Sequence, residues 1–353
     1  MTEITAGLTF GGAAIAAAAI ATATAAACRR TRNRTACLAA ALAVLAGTAA
    51  GLWLVGGLLR LPPRVAIGRL LVIGLPLAAI AEAIAVEAGL GRVATVVRGV
   101  TALTLVRVLL HDSVHLQMEE TAANATVLTA AGLAAIGWPI AVAGERRDDG
   151  GVVTVLAVVL ALAAAAVAIP MAGYVKGGLV AALLAAAAGG ALAGGGRVGL
   201  TGFSFAALVG IVVVGRFFGG LSSSTALLLC SPPILTVAVG RVGDSFGDVA
   251  AGRVIRSAAC RLALAIVPLV VVIAHGWHDF DRSFRQILSP PAGPDASPSS
   301  SILQEQSWRM ESLFDLAAAT LDVSLAAPRG SGGRIRTSSG RRRDGGFRGA
   351  RNC

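Results

Sequence analysis

Only 14% of the 353 residues are charged, 56% are hydrophobic, and the mean hydropathy is +0.77. No water-soluble domain hides that much apolar surface in one core, so the composition excludes a soluble enzyme and demands lipid. The net charge of +11 does not mark a nucleic-acid binder: a net +7 of it lies between Arg329 and Arg351, and the rest is spread over short loops.

A spanning helix needs roughly 20 predominantly apolar residues, because the hydrocarbon slab is about 30 Å thick. In chain order, Leu8–Ala27 and Ala36–Leu59 carry no charge and flank the basic loop Arg29–Arg34. Glu3 is the only charge before the first of them, so it lacks the basic start of a cleaved leader. Leu70–Leu90 holds Glu82 and Glu87, and Val93–Leu110 holds Arg98 and Arg107, which makes both conditional spans. Thr121–Ala143, Gly151–Val175, Gly177–Gly196, Val198–Gly215 and Phe217–Gly240 are again free of charge. Leu262–Ala274 is short and ends the apolar part.

Strand barrels alternate apolar and polar residues, whereas these runs are continuous and rich in Ala, a strong helix former. The expected fold class is an all-α polytopic integral membrane protein, a bundle of about 7–10 transmembrane helices over residues 1–277. Prolines inside the spans (Pro76, Pro139, Pro170, Pro268) predict kinks. Taking ten spans with the N-terminus outside, the inner loops hold twelve basic residues and the outer ones seven. That asymmetry favours an outside N-terminus in a cell membrane.

Residues 278–301 read as a Pro/Ser-rich linker, and 302–327 as an amphipathic helix opened by a capping pair, Ser301 with Gln304. The apolar face of that helix runs through Met310, Leu313, Phe314, Ala317, Leu321 and Leu325, and its charges sum to −3. An acidic polar face does not suit anionic lipid, so the expected contact is with the protein's own loops or with a protein partner. Residues 328–353 form an Arg/Gly/Ser tail without the apolar content to fold.

No Gly-Lys-Ser/Thr phosphate loop and no HExxH occurs, and the five cysteines show no paired metal spacing. Three polar features remain. Glu82 sits mid-span, where an ionised side chain costs a few kcal/mol unless paired. A tight hairpin turning near Gly91 brings Arg98 within one helical turn of it, either as a structural ion pair or as part of a substrate or ion path.

The second feature is Ser222-Ser223-Ser224-Thr225, followed by Pro232-Pro233, which reads as an internally broken helix lining the path or as a turn whose hydroxyls cap the next helix. The third is histidine: His111, His115 and Glu119 fall at i, i+4 and i+8, and His275 and His278 follow the last span. Imidazole and carboxylate suit a divalent metal, although interfacial polar residues at a helix end carry the same pattern.

Movement of a small solute or ion is the leading functional expectation, because little of the chain lies outside the membrane. A membrane-embedded enzyme, metal- or carboxylate-dependent, and an assembly component are the alternatives. The topology is testable. In a cysteine-free background, Asn33→Cys is expected to resist an impermeant thiol reagent in intact cells and to react after lysis; labelling in intact cells reverses the orientation.

Overall fold

The computed structural model describes residues 3–28, 33–55, 63, 65–88, 91–111, 120–147, 151–245 and 257–288. The amphipathic helix at 302–327 and the basic tail lie outside the described residues. The described chain is helical throughout and contains no strand.

The first two helices are α1 (Glu3–Ala27) and α2 (Asn33–Leu54). Then α3 (Ala66–Arg69) runs through a π-helical turn, Leu70–Gly74, into α4 (Leu75–Ala88). There follow α5 (Arg92–Leu110), α6 (Glu120–Arg147), α7 (Val152–Met171), α8 (Val175–Ala193), α9 (Leu200–Phe218), α10 (Ser223–Ser245) and α11 (Ala258–Leu288). Among the described residues, nine helical segments are long and apolar enough to cross a membrane, and Gly11–Ala27 adds a shorter apolar one. The chain is a multi-pass membrane protein.

All three conditional spans belong to this set, as Ala66–Glu87, Arg92–Leu110 and Ala258–His278. One boundary moves. Phe217 and Phe218 close α9, and the span expected from Phe217 begins at Ser223, after a turn. Helix α11 continues to Leu288, so helical backbone covers the first residues of the segment read as a linker.

Helix α9 is the axis of the bundle. Every residue from Leu200 to Gly215 is buried, and α2, α4, α5, α6, α7, α8 and α10 all pack on it. Its buried Thr201 and Ser204 are kept from lipid by this central position. Helix α11 lies at the periphery against α7 and α10, with Leu264, Val267, Val270 and Val271 exposed as lipid-facing surface.

Small residues set the spacing of the α1–α2–α8 group. Ala13, Ala17, Ala21 and Ala25 repeat every fourth position as one buried stripe of α1. Gly47 and Gly51 on α2, and Gly190 and Gly194 on α8, each form a G-x-x-x-G step. A Cβ on Gly190 would stand 2.3 Å from the Ala18 carbonyl oxygen, and one on Gly47 would stand 2.4 Å from that of Ala17. Without a hydrophobic drive between helices in lipid, this backbone proximity is what holds them. The Thr22 hydroxyl adds a cross-helix hydrogen bond to the Gly190 carbonyl at 3.0 Å.

Proline defects are absorbed locally. Pro232 removes the N–H that would bond the Leu228 carbonyl, and the Ser231 hydroxyl donates to that oxygen instead, at 2.8 Å. Pro76 follows directly on the π turn, where the Leu75 N–H reaches back to the Leu70 carbonyl. Helix α10 therefore stays continuous through its Pro-Pro pair rather than breaking there.

The packing predicts unequal effects at adjacent glycines. Gly190→Ala should lower the thermal unfolding midpoint of the detergent-solubilised protein, at a cost of about 1–3 kcal/mol from overpacking. Gly189→Ala should be neutral, since its Cβ would meet nothing nearer than a Val159 methyl at 3.8 Å. Equal effects at the two positions would refute the close α1–α8 approach.

Candidate functional site

The α4–α5 hairpin sets Glu82 opposite Arg98, as the antiparallel register predicted. Arg98 Nε donates to Glu82 Oε1 at 2.8 Å and Nη2 donates to Oε2 at 2.9 Å, a bidentate pair with both residues buried to 1% exposure or less. A third donor arrives from α6, where the Trp138 indole N–H bonds Glu82 Oε1. From α9, Gly202 lies flush on the carboxylate: a Cβ there would stand 2.2 Å from Oε1. Four helices thus meet on one carboxyl group.

Trp138 and Gly202 were not singled out in the sequence. The signal for Trp138 was available, since an indole in an Ala/Gly/Val span must find an acceptor when buried. Gly202 gave none, because a glycine in a glycine-rich membrane helix is unremarkable without knowledge of its neighbour.

A second carboxyl group stands on the same face of α6, seven residues beyond Trp138. Glu145 Oε1 accepts the Gly199 backbone N–H at 2.9 Å. Gly199 is the N-cap of α9, with φ of 72°, and its missing side chain leaves room for Cys37 of α2, whose Sγ would lie 2.2 Å from a Cβ there. A carboxylate at this end of α9 is favoured by the helix dipole.

The other oxygen, Glu145 Oε2, is buried with no hydrogen-bond partner. So are the hydroxyls of Thr154 on α7 and of Thr201 and Ser204 on α9. Thr154, Thr201 and Ser204 are each 1% exposed or less. Buried polar groups are normally satisfied, so a concentration of orphans around one helix terminus needs an explanation.

At the other end of α9, Ser222–Thr225 forms a cap. The Thr225 N–H donates to Ser222 Oγ at 3.2 Å, which is the N-cap to N3 bond that starts α10. Ser222 Oγ also lies 3.0 Å from Ser224 Oγ and 2.8 Å from Thr225 Oγ1, while Arg216 Nε donates to Ser223 Oγ at 2.9 Å. These hydroxyls tie the α9–α10 turn together. Tyr174 stands near this end against Gly219; its phenol oxygen is buried without a partner, and burial raises its pKa.

The two polar ends are separated by α9 itself, about 1.5 Å per residue over nineteen residues. Between them its side chains from Phe205 to Val214 are apolar and buried. Glu82 and Arg98 belong to the Gly202 end, so Ser222–Thr225 is not brought together with them.

Helix α5 stops at Leu110, and His111 leaves the helix with ψ of 135°, its carbonyl accepting from Arg69. His115 and Glu119 lie outside the described residues. His275 and His278 stand on α11. Among the described residues, no three His, Cys, Asp or Glu side chains gather as a ligand set for a metal.

Compared with family models, curated proteins and solved structures, the chain matches none.

The ion pair makes a sharp stability prediction. Glu82→Gln leaves Arg98 buried without its counter-charge and should cost about 3–5 kcal/mol, read as a lowered unfolding midpoint. Replacing both residues by leucine should recover most of that loss, short of the stranded Trp138 N–H. A double variant no more stable than Glu82→Gln alone would show that the pair is not what the fold depends on here.

Proposed function

We propose that this chain moves a small ion or solute across the membrane, with the buried polar cluster at the start of α9 as the place where the cargo rests. The observation that carries this reading is the contrast between two carboxyl groups. Glu82 is saturated by three side-chain donors, as a structural ion pair would be. Glu145 keeps a buried oxygen without a donor, among three hydroxyls in the same condition. A membrane protein has no thermodynamic reason to bury such a set unless something else fills it for part of the time.

The apolar middle of α9 fits a barrier between two access routes, one from the Glu145 end and one from the Arg216–Ser223 end. The basic loops would put the Glu145 end on the cytoplasmic side. An assembly component accounts for the saturated Glu82–Arg98–Trp138 group, but it leaves the orphaned oxygens unexplained.

The test is flux through the purified protein in liposomes, followed with entrapped ion-sensitive dyes and by solute-induced swelling. Flux above protein-free vesicles is expected. Glu145→Gln should abolish it at unchanged protein incorporation. Wild-type vesicles as tight as empty ones toward every small ion and solute would retire the reading.

A further inference from the structure

The two carboxyl groups of this bundle differ in what answers their charge. Glu82 holds the Arg98 guanidinium with both of its oxygens. Glu145 makes no ion pair among the described residues; what meets it is a backbone N–H and a hydroxyl. The Gly199 N–H reaches Oε1 at 2.9 Å, and Thr201, two residues on in α9, faces the carboxyl group with its hydroxyl. Gly151 covers the Glu145 stem from the start of α7, and Oε2 is turned inward, away from solvent. The residue as a whole is half-buried and stands in the last turn of α6, close enough to the end of the bundle to exchange protons with solvent.

The surrounding charges leave it without a counter-ion. From the neighbouring helices the titratable or charged groups facing it are Cys37 on α2, Glu82 on α4 and Arg98 on α5, the last two paired with each other. Arg146 and Arg147 follow it on α6, about 100° and 200° further round the helix, and Asp148 and Asp149 come next toward α7. Those four adjacent charges are two of each sign. Arg197, before the α9 cap, is exposed, where solvent screens it.

Two influences therefore oppose each other at Glu145. Burying an oxygen without a counter-charge disfavours the ionised form. The Gly199 N–H, the Thr201 hydroxyl and the start of α9 favour it. No bidentate partner fixes either form, as Arg98 fixes Glu82. The two forms also hold α9 differently: a hydrogen bond to an ionised carboxylate is about twice as strong as one to a neutral acceptor, and the attraction to the helix terminus goes with the charge.

We propose that Glu145 is a proton-exchange site whose ionised form latches the last turn of α6 to the first turn of α9 and whose protonated form releases them. The proton then serves as coupling ion for the transport reading, on which that role alone rests; the latch itself is tested without flux.

The experiment titrates the full chain in nanodiscs. Infrared difference spectroscopy distinguishes carboxylic acid from carboxylate, and amide hydrogen exchange, corrected for its intrinsic pH dependence, follows the first turn of α9. A titrating carboxyl band that is lost in Glu145→Gln is expected, with α9 exchange rising severalfold as pH falls through the same midpoint. Glu145→Gln should exchange at the fast rate at every pH. Thr201→Val, which removes a donor from the ionised form, should move the midpoint up by about one pH unit, whereas Thr201→Ser should leave it in place.

If Glu145→Gln does not fold, the two Thr201 variants decide, since both keep the carboxyl group; a midpoint that Thr201→Val leaves unmoved then overturns the site. So does a wild type in which no Glu145 band titrates while the protein stays folded, or a titration that leaves α9 exchange unchanged. A titration that appears only once Arg146 and Arg147 are both replaced by glutamine would make those arginines the counter-charge, and the proposal would fall. A latch that answers to pH in a protein whose vesicles pass no ion or solute would support the latch and remove the transport reading.

Discussion

An ionised carboxyl group placed in the middle of an apolar bundle is the constraint around which the structure is arranged. Glu82 is completely buried, and leaving it without donors would cost more than most single side chains contribute to stability. Its requirement fixes partners on three other helices: the guanidinium of Arg98, the indole of Trp138 and the bare backbone of Gly202. Hydrophobic packing alone would let Ala-rich helices slide along one another, because one alanine face resembles the next. A bidentate ion pair allows one register only, and it thereby sets how α4, α5, α6 and α9 sit at this depth.

The rest of the bundle uses a different device. Between α1, α2 and α8 the contact is backbone on backbone through G-x-x-x-G steps, with a single hydroxyl bridge from Thr22. Such contacts are short-ranged and intolerant of added volume, yet they carry no charge that needs a fixed partner. The molecule thus combines a small-residue wall with an ion-paired group, and α9 is packed by both, through α2 and α8 on one part of its surface and through α4, α5 and α6 on another.

Much of this was legible in the sequence where the physics is local. Span positions follow from uninterrupted apolar length, which is a one-dimensional property, and the Glu82–Arg98 pair follows from hairpin register once a turn near Gly91 is assumed. What depends on non-adjacent helices was not legible. Glu145 stands two residues beyond the apolar run Thr121–Ala143, beside Arg146 and Arg147, and so resembles an ordinary loop charge. Its role appears only when the start of α9 is seen to offer it the Gly199 N–H. The Ser222–Thr225 run was legible as polar but not as to purpose, because hydroxyls that cap a helix and hydroxyls that line a path share one composition. The capping bond from the Thr225 N–H to Ser222 Oγ appears only in the folded chain.

The two carboxyl groups are joined through α6, with Pro139 between them. Trp138 is held by Glu82, and the next residue, Pro139, lacks the N–H that would bond the Ala135 carbonyl and so loosens the helix where the clamp ends. Glu145 lies on the far side of that defect. There it accepts the Gly199 N–H and is touched by Gly151. A change in charge at Glu145 therefore acts on the C-terminal turns of α6 and the first turn of α9, while the Glu82 group keeps the other half of α6 in place.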